Sequence, residues 1–473
     1  MDSFLRQVFA ALDAAKIDYC LLRGFEELEA PAGSGEVDLL VAPEHLSVLA
    51  KTLALRGFVT LPAWGHAPHH FFVAYDRAHG AWLKFDAVTD LRYGKPFRTL
   101  RVDLAASCLR QRRRREFTHV LSPADEFFTL LLHCLLDKGD FREARRERLI
   151  ELRRQMARDK MMETKAAEYV SRYLAPAMTW DKLAPAIEAD DWSTLAKRRA
   201  QVARRLFWRN PLLGAWRYLV AAVLRRIKII SFVMGHRGLS VALLAPDGAG
   251  KSTLAKELTR DLYLRGRLIY MGTNIEASTV GLPTTRWLHQ SLKARHNGKL
   301  KKMNPGRIVL KGLSFVNRLV EQWYRAGAAI YHLMSGRLVV FDRYFYDSWI
   351  NKRFNTPWKR LRRKLFESIC PTPDLVILLD APGQLLYDRK HEHTPEWLES
   401  QRRAYLALKD RLPQMRVIDA TNQAEEVKRE VTSLIWNQRL LQLQNGTTRT
   451  NHKQTSGNRE WARMGANEKI SGH

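Results

Sequence analysis

At 473 residues and 46% hydrophobic content the chain carries enough apolar mass for about two to three buried cores, which excludes a disordered polypeptide. Its four cysteines, Cys20, Cys108, Cys134 and Cys370, form no C-x-x-C pair, so neither a disulfide framework nor a zinc site is indicated and a reducing compartment is expected. A formal net charge of +29 and a pI near 10.2 set up a positive field that attracts nucleic acid, anionic lipid, acidic polysaccharide or phosphorylated small molecules without choosing among them.

The first twenty residues, MDSFLRQVFAALDAAKIDYC, include acidic side chains and lack a basic start followed by an unbroken apolar core, so they do not read as a secretory signal. Residues 1–120 mix patterns: an amphipathic helix, an apolar run at Tyr19 to Leu22, and strands at Val37 to Val41 and Trp82 to Phe85. A small α+β domain is expected there. Arginine-rich runs follow at Arg110 to Arg115 and along Arg142 to Arg154, the second reading as one solvated helix face.

Ser122, ahead of Pro123, Asp125 and Glu126, reads as a helix N-cap and opens a helical, basic middle region over 121–236 that is punctuated by Pro176, Pro185 and Pro211. Its most apolar stretch, Pro211 to Met234, is interrupted by Arg217, Arg225, Arg226 and Lys228, and no segment reaches the roughly 18 uncharged apolar residues a spanning helix needs. Arg204 to Met234 interleaves arginine with Phe207, Trp208, Trp216, Tyr218 and Leu224. It reads either as a helix packed onto the sheet of the C-terminal half or as one lying at a membrane interface. The expected location is cytoplasmic, with the inner membrane surface as the peripheral alternative.

From Leu239 short apolar strands alternate with helical patterns, which predicts a parallel doubly wound α/β sheet over 237–437. The expected strands are Ser240 to Leu244, Arg267 to Met271, Arg337 to Phe341, Leu375 to Leu379 and Met415 to Ile418. Residues 438–473 turn rich in Gln, Asn, Thr and Gly and are expected to be a disordered polar tail.

Within that half, Val241 to Leu254 reads VALLAPDGAGKSTL: a strand, a glycine-containing loop and a helix start, the context that makes a phosphate loop. Ala245, Pro246, Asp247, Gly248, Ala249, Gly250, Lys251, Ser252 and Thr253 are the residues expected to hold ATP. Backbone N–H groups close on phosphate oxygens, Lys251 reaches the β- and γ-phosphates, and the Ser252 hydroxyl ligates Mg²⁺. The first glycine of the pattern is Ala245 here, a mild change at a turn-closing position. Two carboxylates end strands, Asp342 and Asp380. In an open α/β sheet both point toward the ligand, Asp342 to the magnesium shell and Asp380 either there or to the next helix as a cap. Arg343, directly after Asp342, is placed to meet an acceptor phosphate.

These residues resemble the thymidylate kinase family over about Gly238 to Trp436. The resemblance rests on the loop APDGAGKST, on Asp342-Arg343-Tyr344, on the strand ending at Asp380 with Pro382 after it, and on Val417 to Thr421, VIDAT. It implies ATP and Mg²⁺ as cofactors, Lys251, Asp342, Arg343 and Arg389 as catalytic residues, and a lid at Tyr387 to Pro395 whose Arg389 and Lys390 close on ATP. It also implies an adenine-side turn at Asp419 to Thr421 that includes Ala420, and acceptor contacts from Arg343, Asp247 and Arg318, the last on a helix that also carries Arg325. The family's Glu-Pro-Gly-Gly segment is replaced here by Tyr270 to Asn274 and a long basic insertion through Lys311, and the Tyr-Gln expected after Tyr344 is missing. The acceptor therefore stays open: a nucleoside monophosphate, or a phosphorylated or hydroxylated small molecule such as a sugar or a glycan end.

Near the N-terminus, Glu36 and Asp38 stand at i and i+2 of a strand and share a face, and Asp86 ends up on a later strand. Three such carboxylates suit a two-Mg²⁺ site for nucleotidyl transfer, and residues 1–120 resemble the small nucleotidyltransferase fold with Glu36, Asp38 and Asp86 at the metal positions. Leu22-Arg23-Gly24-Phe25 stands where that family has Gly-Ser, and Glu36 where aspartate is usual. His66, His69 and His70 fall in a Gly/Pro/His loop and could line the same site. Two other readings remain beside the kinase: an ATP-responsive binding protein for an anionic polymer or membrane, with nucleic acid weakly indicated, and a pair of catalytic domains serving one pathway.

Overall fold

The computed structural model describes residues 2–25, 35–61, 63, 65–226, 237–271, 305–350, 368 and 370–443. Of the tail expected to be disordered over 438–473, residues 438–443 are helical, a correction to the sequence reading. The rest from 444 onward, the basic insertion up to 304, Gly33 and Ser34, and the end of the Arg204 to Met234 segment lie outside the described residues, as do the side chains of 305–315 and of Arg318. The chain divides into two units, Met1–Ser231 and Phe232–His473.

The first unit is built on a seven-stranded sheet ordered β3-β4-β5-β2-β1-β9-β8, with β1 Tyr19–Leu21, β2 Glu36–Val41, β3 Val59–Leu61, β4 His69–Asp76, β5 Ala81–Val88, β8 Arg113–Arg115 and β9 Thr118–Val120. A separate hairpin pairs β6 Leu91–Tyr93 with β7 Leu100–Val102. The apolar run at Tyr19 to Leu22 does not alternate because the sheet is covered on both faces. Tyr19, Leu21, Leu39 and Val41 pack with Leu5, Phe9 and Leu12 of helix Asp2–Ala14 and Leu49 and Leu53 of helix Leu46–Leu55. Cys20, Leu22 and Leu40 face the other way, into a core with Phe127, Phe128 and Leu131 of helix Pro123–Leu132. That helix starts at Ser122, whose Oγ accepts from the Asp125 amide at 3.4 Å, and all but its first residue are buried. It runs into a single π-helical turn, His133–Lys138, that ends at Gly139. Histidines 69 and 70 fall in β4 and not in a loop, a correction to the sequence reading: His69 to Asp76 pairs antiparallel with β5 along its whole length.

The second unit is a five-stranded, all-parallel sheet ordered β11-β12-β10-β13-β14, with β10 Ser240–Leu244, β11 Arg267–Tyr270, β12 Val339–Asp342, β13 Leu375–Asp380 and β14 Met415–Asp419. Both faces are covered, so β10 is buried at every residue. Helix Lys251–Arg260 leaves β10, helix Pro305–Met334 precedes β12, and helices Gly383–Lys390 and Pro395–Leu406 link β13 to β14. β10 has β12 on one side and β13 on the other, and the crevice outside such a switch of strand order is where open α/β sheets bind ligands. Among the described residues no helix is long and apolar enough to cross a membrane.

Candidate active site

Between β10 and helix Lys251–Arg260 the backbone must reverse tightly while leaving its N–H groups exposed. Gly248 and Gly250 permit this at φ 93° and 81°. A side chain at Gly248 would meet the Leu386 carbonyl oxygen at 2.6 Å, so helix Gly383–Lys390 lies directly against the loop, whereas one at Gly250 would meet nothing within 4 Å. Ala245, Pro246 and Ala249 are buried and only shape the turn, Asp247 and Gly248 are half-buried, and Gly250, Ser252 and Thr253 are exposed.

Lys251 is 7% exposed at the first position of its helix. Burial pushes its ammonium below the usual lysine range, and the carboxylates of Asp347, Asp342 and Asp247 pull the other way while Arg343 adds to the depression. Asp342 ends β12, beside β10 in register with Leu243, and the Ser252 hydroxyl donates to its Oδ2 at 3.4 Å. Among the described residues its buried Oδ1 finds no hydrogen-bond partner, which is costly unless another group binds there. A hydroxyl and a carboxylate oxygen so placed fit a magnesium ion that takes the rest of its shell from phosphate oxygens and water. Held by Ser252 and Asp342, Mg²⁺ would supply positive charge to offset that of the bound phosphates.

Arg343 follows with φ 59°, the left-handed region that a non-glycine residue seldom occupies away from functional sites. Its Nη2 donates to Asp247 Oδ1 at 2.9 Å, and its carbonyl accepts from the Met271 amide at 3.2 Å. Burial disfavours its charge, yet Asp247 and Asp347 hold the guanidinium above the usual arginine range. The structure thus brings Asp247, Ser252, Asp342 and Arg343 to one place.

Sequence reasoning passed over Asp347, whose carboxyl is pushed up by burial against the opposing fields of Lys251 and Arg343 and accepts from the Tyr405 hydroxyl at 2.9 Å. Its spacing from Asp342 was the available signal, while nothing local marked Tyr405.

The segment expected to be a lid is a helix, a turn and a second helix capped by Thr394. Arg389 Nη1 donates to the Ala420 carbonyl at 2.9 Å and Lys390 Nζ pairs with Glu392 at 2.9 Å, so their contacts here are with the Asp419 to Thr421 turn and the surface. The segment still reaches the phosphate loop through Leu386 and through His393, whose Nε2 lies 3.9 Å from Asp247 Oδ2. Asp380 is held by both ends of the Arg402 guanidinium, at 2.7 and 2.9 Å, and its carbonyl accepts from the Ala420 amide. It therefore ties β13 to helix Pro395–Leu406.

On helix Pro305–Met334 the backbone of Arg318 is described but not its side chain. Arg325, from the same face, is buried, donates to Glu321 Oε1 at 2.6 Å and stacks over Tyr270 at the end of β11. Beside it Gln322 Nε2 donates to the Met271 carbonyl at 3.5 Å.

In the first unit Asp38 and Asp86 sit in register on neighbouring strands β2 and β5. Glu36 does not join them, since it is largely exposed and pairs with Lys84 at 2.8 Å. Arg23 Nε donates to Asp38 Oδ2 at 2.7 Å, and the pair holds itself charged: burial penalises both groups, but their attraction keeps the carboxyl below and the guanidinium above their usual ranges. His69 Nδ1 lies 2.6 Å from Asp86 Oδ1. Among the described residues no group of three His, Cys, Asp or Glu is gathered to hold a metal ion. These residues do not fit the two-magnesium arrangement expected from the sequence, because an arginine holds the central carboxylate and the first carboxylate is turned to a lysine.

With this geometry in view, comparison with known proteins addresses the second unit. The family model for thymidylate kinase matches residues 246–431. A probable thymidylate kinase of Archaeoglobus fulgidus is 26% identical over 211 residues, covering 41% of this chain and 93% of its own length. A thymidylate kinase of Xylella fastidiosa is 31% identical over 201 residues, covering 40% of this chain and 83% of its own. The solved thymidylate kinase of Candida albicans aligns with a TM-score of 0.31 and 17% identity over 44% of this chain and 95% of its own. Through its second unit the chain belongs to the thymidylate kinase family, and that unit is a P-loop nucleotide kinase.

Proposed function

We propose that the second unit transfers the γ-phosphate of ATP to a small nucleoside monophosphate or closely related phosphorylated acceptor, with Mg²⁺ held between Ser252, Asp342 and the phosphates. The observation that carries this reading is the convergence of Ser252, Asp342 and the Arg343–Asp247 pair outside β10 and β12, with Asp342 Oδ1 left without a partner among the described residues. In-line transfer needs little covalent participation: Lys251 and the loop amides hold the donor, and Arg343 aligns the acceptor phosphate by exchanging its bond to Asp247 for one to the ligand. Arg389 and Lys390 approach the donor from the segment that already touches the loop at Gly248. Ala420, in the turn braced by Arg389, lies on the adenine side.

The altered acceptor segment after Tyr270 and the absence of Tyr-Gln after Tyr344 favour an acceptor other than thymidylate, and a sugar or glycan acceptor is the second reading. Purified protein incubated with labelled ATP and a panel of nucleoside monophosphates, sugars and sugar phosphates, read by mass spectrometry, tests both. Transfer to one acceptor that disappears in Lys251→Ala, with the fold retained, is the expected result. Wild-type activity in that variant would overturn the assignment. ATP binding with no transfer to any acceptor would favour an ATP-responsive binding protein.

For residues 1–120 the reading is a nucleotidyltransferase-like domain, supported by Asp38 and Asp86 in register on parallel strands of a mixed sheet. The Arg23–Asp38 pair speaks against metal-dependent catalysis there, so a binding role is favoured.

A further inference from the structure

We propose that helix Pro211–Arg226 is a docking surface for an anionic lipid bilayer, on which it lies flat with its apolar face down. The helix has one face turned to the first unit. Tyr218 packs edge-on to Phe97 at 4.5 Å, Gly214 lies against Phe207, and Arg225 donates to the carbonyls of Gly65 and Pro96 with its guanidinium over the Phe97 ring. At about 100° per residue these positions share one side, and Leu212, Trp216, Leu219 and Val223, spaced by four, three and four, share the opposite side. They are 85%, 63%, 56% and 44% exposed, so large apolar side chains stand in water where polar ones would be usual. Trp208, one turn before the helix, is 66% exposed as well.

Charge decides among the occupants such a face could have. Between Asp191 and Asp247 the chain has no aspartate or glutamate, while Lys197, Arg198, Arg204, Arg205 and Arg226 are exposed. A second copy of this surface would bring like charges together, since nothing acidic in the stretch would answer them. A bilayer carrying anionic headgroups supplies the opposite charge beside an apolar layer, which complements a tryptophan-bearing stripe in a stretch of chain whose charged residues are all basic. The sixteen described helical residues span about 24 Å, and among the described residues no helix is long and apolar enough to cross a membrane, so the proposal lays this one on the surface.

The test is vesicle flotation of the full chain with phosphatidylcholine alone and with phosphatidylcholine containing phosphatidylglycerol. The expected result is flotation with the anionic vesicles that weakens as salt is raised, and at least a tenfold lower partition for Trp216→Asp/Leu219→Asp. Leu212→Ser/Trp216→Ser is a second, milder variant, and both should keep the wild-type thermal transition because the changed side chains already face water. No flotation of the wild type, or equal flotation of wild type and variants, overturns the proposal. So does a wild-type dimer in light scattering that both variants convert to monomer without any vesicle binding, which would assign the face to self-association.

Discussion

Asp342 is a carboxylate that the fold leaves partly unsatisfied. Among the described residues its buried Oδ1 has no partner and its Oδ2 has the long Ser252 contact. Leaving a buried polar atom unsatisfied costs about 1–3 kcal/mol, so Asp342→Ala should leave the unfolding temperature unchanged or raise it, while turnover falls about 10²–10³-fold. Calorimetry and steady-state kinetics on one preparation would check both halves, and a large loss of stability would argue that Asp342 is structural. His133 behaves differently. It is buried at 8% exposure, and burial, with the Arg23 charge, pushes its imidazole down to about 4 despite the nearby carboxylates of Asp137 and Asp38. Above the ordinary histidine value of about 6.5 both folded and unfolded chains hold it neutral, and it contributes nothing to pH dependence. As pH falls from there toward 4 the unfolded chain takes the proton and the folded one refuses it, so stability drops with acid, by at most about 3 kcal/mol. Asp137, whose carboxyl is held below its usual range chiefly by its bond to His133 against the cost of burial, adds a loss of the same sign at lower pH. Denaturant midpoints measured across this window should flatten in His133→Gln.

At the scale of elements, the phosphate loop depends on two glycines for different reasons. Gly250 needs only its φ of 81°, since a side chain there would find open space, and Gly250→Ala should cost about 1 kcal/mol of strain. Gly248 needs φ 93° and also the room occupied by the Leu386 carbonyl oxygen, 2.6 Å from where a Cβ would stand. Gly248→Ala should therefore push helix Gly383–Lys390 off the loop, cost about 2–3 kcal/mol and reduce ATP affinity more than Gly250→Ala does. Thermal melts with and without ATP compare them directly, and equal effects would show that the helix is free to shift. The same helix explains the contacts of Arg389: anchored by its backbone against the loop, it sends that side chain to Ala420 and so joins the Asp419 to Thr421 turn to the phosphate loop.

For the whole molecule, the two units each carry a buried core and a strand carboxylate, but with opposite surroundings. In the second unit Asp342 Oδ1 has no partner among the described residues, while in the first Asp38 is paired with Arg23. Asp38→Asn should strand the Arg23 guanidinium, part-buried, without its counter-charge and destabilise the first unit by about 1–3 kcal/mol. Because Asp38 belongs to the other unit, phosphoryl transfer at a temperature where both forms are folded should be unchanged. Separate urea transitions monitored alongside kinase turnover would check this. Loss of a nucleotidyl-transfer activity in the same variant would instead reveal a second catalytic centre.

What the sequence by itself determined is what spacing along one strand or loop encodes. The phosphate loop, the strand before it and the helix after it follow from glycine placement and an unbroken apolar run, and Ser122 marks its helix start because an N-cap acts within three residues. The five parallel strands were legible within about two residues at their ends, since buried parallel strands are short apolar runs whatever lies around them. Only the tertiary structure decided which charge meets which. Arg402 reaches Asp380 across 22 residues, Tyr405 reaches Asp347 across 58, and Arg23, from the loop after β1, holds Asp38 in place of a metal. The reason is reach: a side chain's face is set by local period, but its partner is whichever group the packing brings within about 3 Å, and long-range packing leaves no local trace. That is why Asp342 and Asp38, alike in the sequence as strand carboxylates, end with different chemistry.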